Sequence, residues 1–305
     1  MRVLAIGECM AELAPLDNPA EFKVGYAGDT FNTAWYLRQI APEIEIDYLT
    51  AVGDDTISRE MRTFIRDSGI GDTHVRLIAG STVGLYLIHL INGERSFSYW
   101  RGQSAAKQLA IEPQALDRAM ANADLIYFSG ITLAILDAQS RENLLGALSR
   151  ARTAGKLVAF DTNLRPRLWA SIDEMKQTVM QAAAQSDIVL PSFDDEAEWF
   201  GDESSPATLD RYAKLGVNRI IVKNSDKPVL FQDGSERGEV GVNPATDVLD
   251  TTAAGDSFNA GALAGILQHG DMTAGISYGC RLASYVVQHK GALVAIDLEK
   301  LSASC

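Results

Sequence analysis

Hydrophobic and polar positions along the chain follow two periods that take turns. Nearly continuous apolar runs at residues 3–6, 46–51, 125–129, 157–161, 188–191 and 220–223 predict buried β-strands. Between them, residues 30–40, 57–67, 140–154, 172–185 and 207–215 carry apolar side chains at three- and four-residue steps, the period of an amphipathic helix. Strand and helix in alternation predict an α/β fold, a parallel sheet covered by helices on both faces. Two more helical segments, about 254–268 and 272–290, close the chain. No Pro-, Gly- or Ser-rich linker, charge block or repeat interrupts the pattern.

One region departs from it. Residues 83–91 and 94–101 are strand-like and are joined by Asn92-Gly93, the pair favoured in a type I′ hairpin turn. A two-residue turn sets the register: Ile91 opposite Glu94, Ile88 opposite Phe97, Tyr86 opposite Tyr99, and Gly84 opposite Arg101. Alternation then puts Tyr86, Phe97, Tyr99 and Arg101 on one face. Such a face can be a cross-strand aromatic pair that only stabilises the hairpin. An Arg at its end can also meet a carboxylate bidentately above an aromatic floor.

Composition narrows the function classes. The chain has 305 residues, 47% hydrophobic and 22% charged, with 27 Lys+Arg against 40 Asp+Glu and a formal charge of −13. These are globular proportions, and the acidic balance argues against a nucleic-acid backbone as partner. An anionic small molecule remains open, because it needs only two or three placed cations. Cys9, Cys280 and Cys305 are few, scattered and odd in number, which predicts a reducing, cytoplasmic setting rather than a disulfide framework. The four histidines share no metal-ligand spacing. No run approaches the ~20 apolar residues of a membrane span, and the N-terminus lacks a signal-peptide pattern.

Several common site motifs are missing: no Lys precedes Ser or Thr as in a P-loop, and neither HExxH nor G-x-S-x-G occurs. The strongest stretch is Asp250-Thr251-Thr252-Ala253-Ala254-Gly255-Asp256-Ser257-Phe258-Asn259-Ala260-Gly261. Small residues lead into a helix whose first amides and dipole suit a transferring phosphoryl group, and Asp256 is placed to take a proton from a hydroxyl. The same residues also read as an ordinary helix start with an acid in its first turn.

This stretch resembles the second signature of the ribokinase-like (PfkB) carbohydrate kinases, and Gly28-Asp29-Thr30-Phe31-Asn32 resembles the first. The likeness extends over essentially the whole chain. It implies a three-layer sandwich with a mostly parallel central sheet, one kinase domain over 1–305, and a small β-sheet lid from about 10–26 and 83–101. Within the family, Gly7-Glu8-Cys9-Met10, Tyr99-Trp100-Arg101 and Asp161-Thr162-Asn163-Leu164-Arg165-Pro166-Arg167-Leu168-Trp169 are most similar to the members that phosphorylate 2-keto-3-deoxygluconate. The resemblance implies that Gly28, Asp29, Thr30, Phe31, Asn32, Tyr86, Tyr99, Arg101 and Arg165 touch a sugar acid. It implies ATP at Asn163, Arg165, Lys223, Ser225, Ala253, Ala254, Gly255 and Asp256, with Asp256 as catalytic base beside Ala254 and Gly255. A neutral-sugar kinase of the fructokinase or ribokinase type is the alternative.

Physical expectations accompany these transfers. Arg165 follows the strand ending at Asp161, at the carboxyl end of the sheet where open α/β folds bind ligands; a structural salt bridge competes with that role. Two positions depart from the family pattern: Ser225 stands where a glycine is usual, and Phe193-Asp194-Asp195-Glu196 replaces an Asn-x-x-Glu element that organises Mg2+. Glu196 is the expected metal residue, and a solvated acidic helix start accounts for the run equally well. A homodimer or higher homo-oligomer is expected through the lid strands, whose edges invite pairing.

Overall fold

The computed structural model describes residues 1–16, 18, 20–91 and 94–303. Among them, nine strands form a large sheet: β1 (Arg2–Ile6), β4 (Glu45–Val52), β5 (Val75–Leu77), β8 (Leu125–Ser129), β9 (Leu157–Asp161), β10 (Ile188–Val189), β11 (Arg219–Val222), β12 (Val229–Asp233) and β13 (Glu236–Val240). Their order across the sheet is β13-β12-β11-β10-β9-β8-β1-β4-β5. The ladder is parallel from β5 to β11 and antiparallel through β12 and β13. The two antiparallel strands were not placed from sequence, although Gly234-Ser235, the turn between the paired Asp233 and Glu236, is a hairpin signal and Gly234 takes a left-handed conformation there (φ 60°). Strand β10 is shorter than the expected 188–191 run, since Pro191 has no N–H to continue the ladder.

Both faces of the sheet are buried, which is why its strands read as unbroken apolar runs. On β1, Val3 and Ala5 belong to one core cluster and Leu4 and Ile6 to the other. The first cluster takes side chains from α1 (Asp29–Ile40), α2 (Thr56–Asp67), α9 (Ala254–His269) and α10 (Met272–Val286). The second takes them from α3 (Pro113–Ala121), α5 (Ala138–Thr153), α6 (Ile172–Ala184) and α8 (Ser205–Ala213). Helices α4 (Gly130–Ala134), α7 (Phe193–Phe200) and α11 (Leu298–Ala303) complete the set. Helices α9 and α10 pack backbone to backbone: a Cβ on Gly261 would come 2.7 Å from the Gly279 Cα. That contact fixes how α9 aims its first turn.

A second sheet is built from β2 (Met10–Pro15), β3 (Phe22–Ala27), β6 (Gly84–Ile91) and β7 (Glu94–Trp100), in the order β3-β2-β6-β7. The hairpin register is the expected one, with Tyr86 opposite Tyr99, Ile88 opposite Phe97 and Ile91 opposite Glu94. The Asn92-Gly93 turn and Cys305 lie outside the described residues. Gly7-Glu8-Cys9 is the short link from β1 of the large sheet to β2 of the small one.

Candidate active site

The carboxyl ends of β1, β8 and β9 meet the starts of α1 and α9, and the polar residues of those ends form one network. Along α1, the three- and four-residue spacing of Asp29, Asn32 and Thr33 puts them on one face. Asp256 and Asn259 share a face of α9 for the same reason. Asn32 Nδ2 donates to Asp256 Oδ2 at 2.8 Å, and Thr33 Oγ1 donates to the Asp256 carbonyl at 3.1 Å. Asn259 Nδ2 donates to Asp161 Oδ2 at 2.8 Å and to the Tyr127 hydroxyl at 3.1 Å. Lys223 Nζ bonds Asp161 Oδ1 at 3.0 Å and Asn259 Oδ1 at 3.2 Å.

Three carboxylates converge here, and their charges are felt. Burial of the Asp256 carboxyl, with Asp29 and Asp161 repelling its negative charge, pushes its pKa from 3.8 up to about 8, against the opposing pull of Asn32 and Lys223. Burial also raises Asp29, whose carboxylate accepts from Asn163 Nδ2 at 2.8 Å. An acid poised near neutrality is what general-base chemistry needs.

The helix start is arranged for an anion. Ala253 caps α9 in the left-handed conformation (φ 60°), and the Ala254 N–H is already bonded to the Thr251 carbonyl at 3.2 Å. The next amides, Gly255 and Asp256, are first-turn donors without an i−4 partner. The Ala254 N–H is therefore occupied, and the free first-turn donors begin at Gly255. Lys223 Nζ lies 3.8 Å from where a Gly255 Cβ would sit, so its charge stands beside these amides.

Backbone strain marks the same place. Among the described residues, the non-glycine positions with positive φ are Asn163 (27°), Arg165 (44°), Ser225 (51°) and Ala253 (60°). All four were candidates from sequence, and strained backbone concentrates at functional sites. The left-handed turn explains why glycine suits position 225; here the Ser225 hydroxyl donates to Asp194 Oδ2 at 2.6 Å. Arg165 leaves its strained turn half-exposed, 3.7 Å from Asp195.

Other expected residues fall differently. Thr30 and Phe31 are corrections, because their side chains point into the core: Thr30 Oγ1 bonds the Tyr48 hydroxyl at 3.1 Å, and the Phe31 ring packs edge-on against Tyr48. Gly28 presses against the Glu8 carbonyl, where a Cβ has no room. Glu196 is also corrected. It is neither solvated nor available to a metal, since it is fully buried with Arg211 Nη2 at 2.7 Å and the Tyr212 hydroxyl at 3.0 Å.

On the small sheet, Tyr86, Phe97 and Tyr99 form a three-ring cluster with centroids 5.9–6.1 Å apart. Tyr86 packs in a cluster that reaches Ala292 and Ala253, which ties this sheet to the start of α9. Its hydroxyl donates to Glu12, directly across the ladder on β2. Arg101, past the end of β7, is paired with buried Glu8. Glu8, Glu12, Asp161 and Asn259, which contact candidate residues, were not themselves named as site residues from the sequence. Glu8, Asp161 and Asn259 carried a signal, their places in the Gly7–Met10, Asp161–Trp169 and Asp250–Gly261 runs, and Glu12 carried none.

The chain matches the pfkB family carbohydrate kinase description over residues 1–298. It is 39% identical to the 2-dehydro-3-deoxygluconokinase of Haemophilus influenzae, covering 96% of this chain and 95% of that one. It is 38% identical to the enzyme of the same name from Escherichia coli K12, covering 96% and 97%. Its fold matches the crystal structure of aminoimidazole riboside kinase from Salmonella enterica, complexed with aminoimidazole riboside and an ATP analog. That match has a TM-score of 0.84 and 25% identity over 99% of both chains. With this fold and with Asp256 at the start of α9, the chain belongs to the pfkB family of carbohydrate kinases.

Proposed function

We propose that this kinase transfers the γ-phosphoryl group of ATP to the terminal hydroxyl of 2-keto-3-deoxy-D-gluconate, giving 2-keto-3-deoxy-6-phosphogluconate. The relatives that are 37–39% identical over nearly the whole chain carry this reading, since all are named for that sugar acid under its synonym, 2-dehydro-3-deoxygluconate. Asp256 accepts the hydroxyl proton as the oxygen attacks the γ-phosphorus, and the bond to the bridging oxygen of ADP breaks. Asn32 holds the Asp256 carboxylate in place through its 2.8 Å bond. The Gly255 and Asp256 amides, with Lys223 behind them, stabilise charge on the transferred group. Arg101 and Arg165 are the cations for the sugar's carboxylate, and Tyr86 and Tyr99 floor its site. The small sheet closes over the site as a lid and limits hydrolysis of ATP by water.

Magnesium fits this site as a hydrated ion carried on ATP rather than as a caged one. Among the described residues no three His, Cys, Asp or Glu side chains are placed to hold one ion together, and Glu196 is closed off by Arg211. Asp195, a partly exposed acid near Asp161, would hold the ion through its waters, and the ion would supply neutralisation of phosphate charge.

Strands β3 and β7 are the edges of the small sheet, and Phe22, Val24 and Trp100 are exposed on its face opposite Tyr86 and Tyr99. A second copy of the chain covering this sheet gives a homodimer. A reducing cytoplasm suits Cys9 and Cys280 as free thiols. The test of the reaction is to incubate the enzyme with ATP, Mg2+ and the sugar acid and read the product by phosphorus and carbon NMR. Phosphate at C6 supports the reading, and no phosphorylated sugar acid refutes it.

A further inference from the structure

The contact between Glu8 and Arg101 is a half-made ion pair in a place where half-made pairs are costly. The Glu8 side chain is 1% exposed and that of Arg101 14%. One bond joins them, from Arg101 Nη2 to Glu8 Oε2. Glu8 Oε1 and Arg101 Nε are both buried with no hydrogen-bond partner. An arginine fork can meet a carboxylate with two parallel bonds, and a buried pair with spare donors and acceptors loses stability relative to a complete one. A packed site that leaves a guanidinium edge unpaired is arranged for something besides its own stability.

The surroundings indicate what. Glu8 belongs to the link between the two sheets, and its backbone lies against Gly28 at the start of α1. Its carboxylate reaches across to Arg101, past the end of β7. Gly84 makes the room: a Cβ there would come 2.8 Å from Glu8 Oε1 and 3.2 Å from Arg101 Cβ. Glu8 therefore spans the first-signature glycine and the cation on the lid.

We propose that Glu8 is a positioning residue, which holds the Arg101 guanidinium so that the donors not bonded to Glu8 meet the carboxylate of the sugar acid and thereby sets the preference for acidic over neutral sugars. This rests on the substrate reading above. A guanidinium carries five donors and serves two carboxylates at once. Fixing one edge to Glu8 removes the rotamer freedom that a long side chain otherwise loses on binding. A neutral sugar gains nothing from the arrangement.

The test compares 2-keto-3-deoxygluconate with 3-deoxy-D-fructose, the same skeleton with CH2OH in place of the carboxylate. For Glu8→Ala, KM for the sugar acid rises about tenfold or more with kcat within about threefold, while KM for the neutral sugar stays within about twofold. Glu8→Gln, isosteric and able to accept from Arg101, falls between wild type and Glu8→Ala. It keeps the test readable if the alanine variant folds poorly, as thermal melts would show. In an Arg101→Ala background, Glu8→Gln adds less than about twofold, because the two residues act as one unit. Equal KM changes for both sugars, or additive effects in the double variant, overturn the proposal and leave Glu8 a structural clasp. A wild-type enzyme inactive on the sugar acid refutes the substrate reading, and this inference falls with it.

Discussion

Asp256→Asn should move activity and stability in opposite directions, because the charge that makes Asp256 a base also burdens the fold. Asp256 is held in a site that raises its pKa from 3.8 to about 8, so the folded protein binds its proton more tightly than the unfolded chain does. For an acid with a raised folded pKa, the favourable contribution is complete below about pH 4 and is lost as pH rises toward 8. Above that, the buried carboxylate destabilises the fold. The rise from 3.8 to about 8 sets a ceiling of about 5 kcal/mol. Asp256 keeps partial contact with solvent, which reduces the cost to about 1–3 kcal/mol. Asparagine keeps the size and the acceptor for Asn32 but has no charge to bury. Urea unfolding at pH 5, 7 and 9 should therefore show Asp256→Asn gaining on wild type with each step upward. Over the same range kcat falls by at least about a hundredfold, because the base is gone. Retention of more than about a tenth of wild-type kcat, or a stability difference that does not change with pH, would falsify the assignment.

The remaining predictions touch separate parts of the site. In wild type, kcat/KM should climb as pH rises toward about 8 and level off above it, since Asp256 must be ionised to act; a profile flat from pH 6 to 9 would contradict its role. Arg101→Ala should lower kcat/KM for a sugar acid by about 100-fold, against a few-fold for a neutral sugar, in the coupled assay. Lys223→Met leaves Asp161 buried beside Asn259 without its cation, and urea unfolding should report a loss of about 3–5 kcal/mol. Ala253→Gly relieves a left-handed alanine, so thermal melts should show a gain of about 1 kcal/mol once the added chain entropy is subtracted.

Much of the architecture was legible because parallel strands buried on both faces must be apolar throughout. The alternating periods at 3–6, 30–40 and 46–51 could be read directly as β1, α1 and β4. The hairpin register followed from one Asn-Gly pair and chain geometry alone. The β12–β13 hairpin carried a Gly234-Ser235 turn signal and was overlooked, since its strands are short and partly polar. The site divides in the same way. Asp256 was visible because a helix start is a local feature, and Asn163, Arg165, Ser225 and Ala253 were marked by family pattern before their strained backbone was seen. Thr30 and Phe31 were misread because a signature tells which residues recur, not whether they recur for the ligand or for the core. The partnerships of Glu8 with Arg101 and of Lys223 with Asp161 join residues 93 and 62 positions apart. No local pattern encodes such pairs, since only the packing of the two sheets brings them together. Glu196 lost its expected role for that reason too: Arg211 and Tyr212 reach it from α8, and their approach cannot be inferred from an acidic run on α7.

The measurement that tests the account most directly is kcat/KM by coupled ADP release, with Mg2+-ATP, over 2-keto-3-deoxygluconate, its galacto epimer, fructose, ribose and 3-deoxy-D-fructose. The account predicts that the 2-keto-3-deoxy sugar acids exceed every neutral sugar by at least about 100-fold, and that Arg101→Ala removes most of that margin. A neutral sugar matching or exceeding the acids would contradict it, and Arg101 with its partner Glu8 would then be a structural pair in a kinase for another substrate.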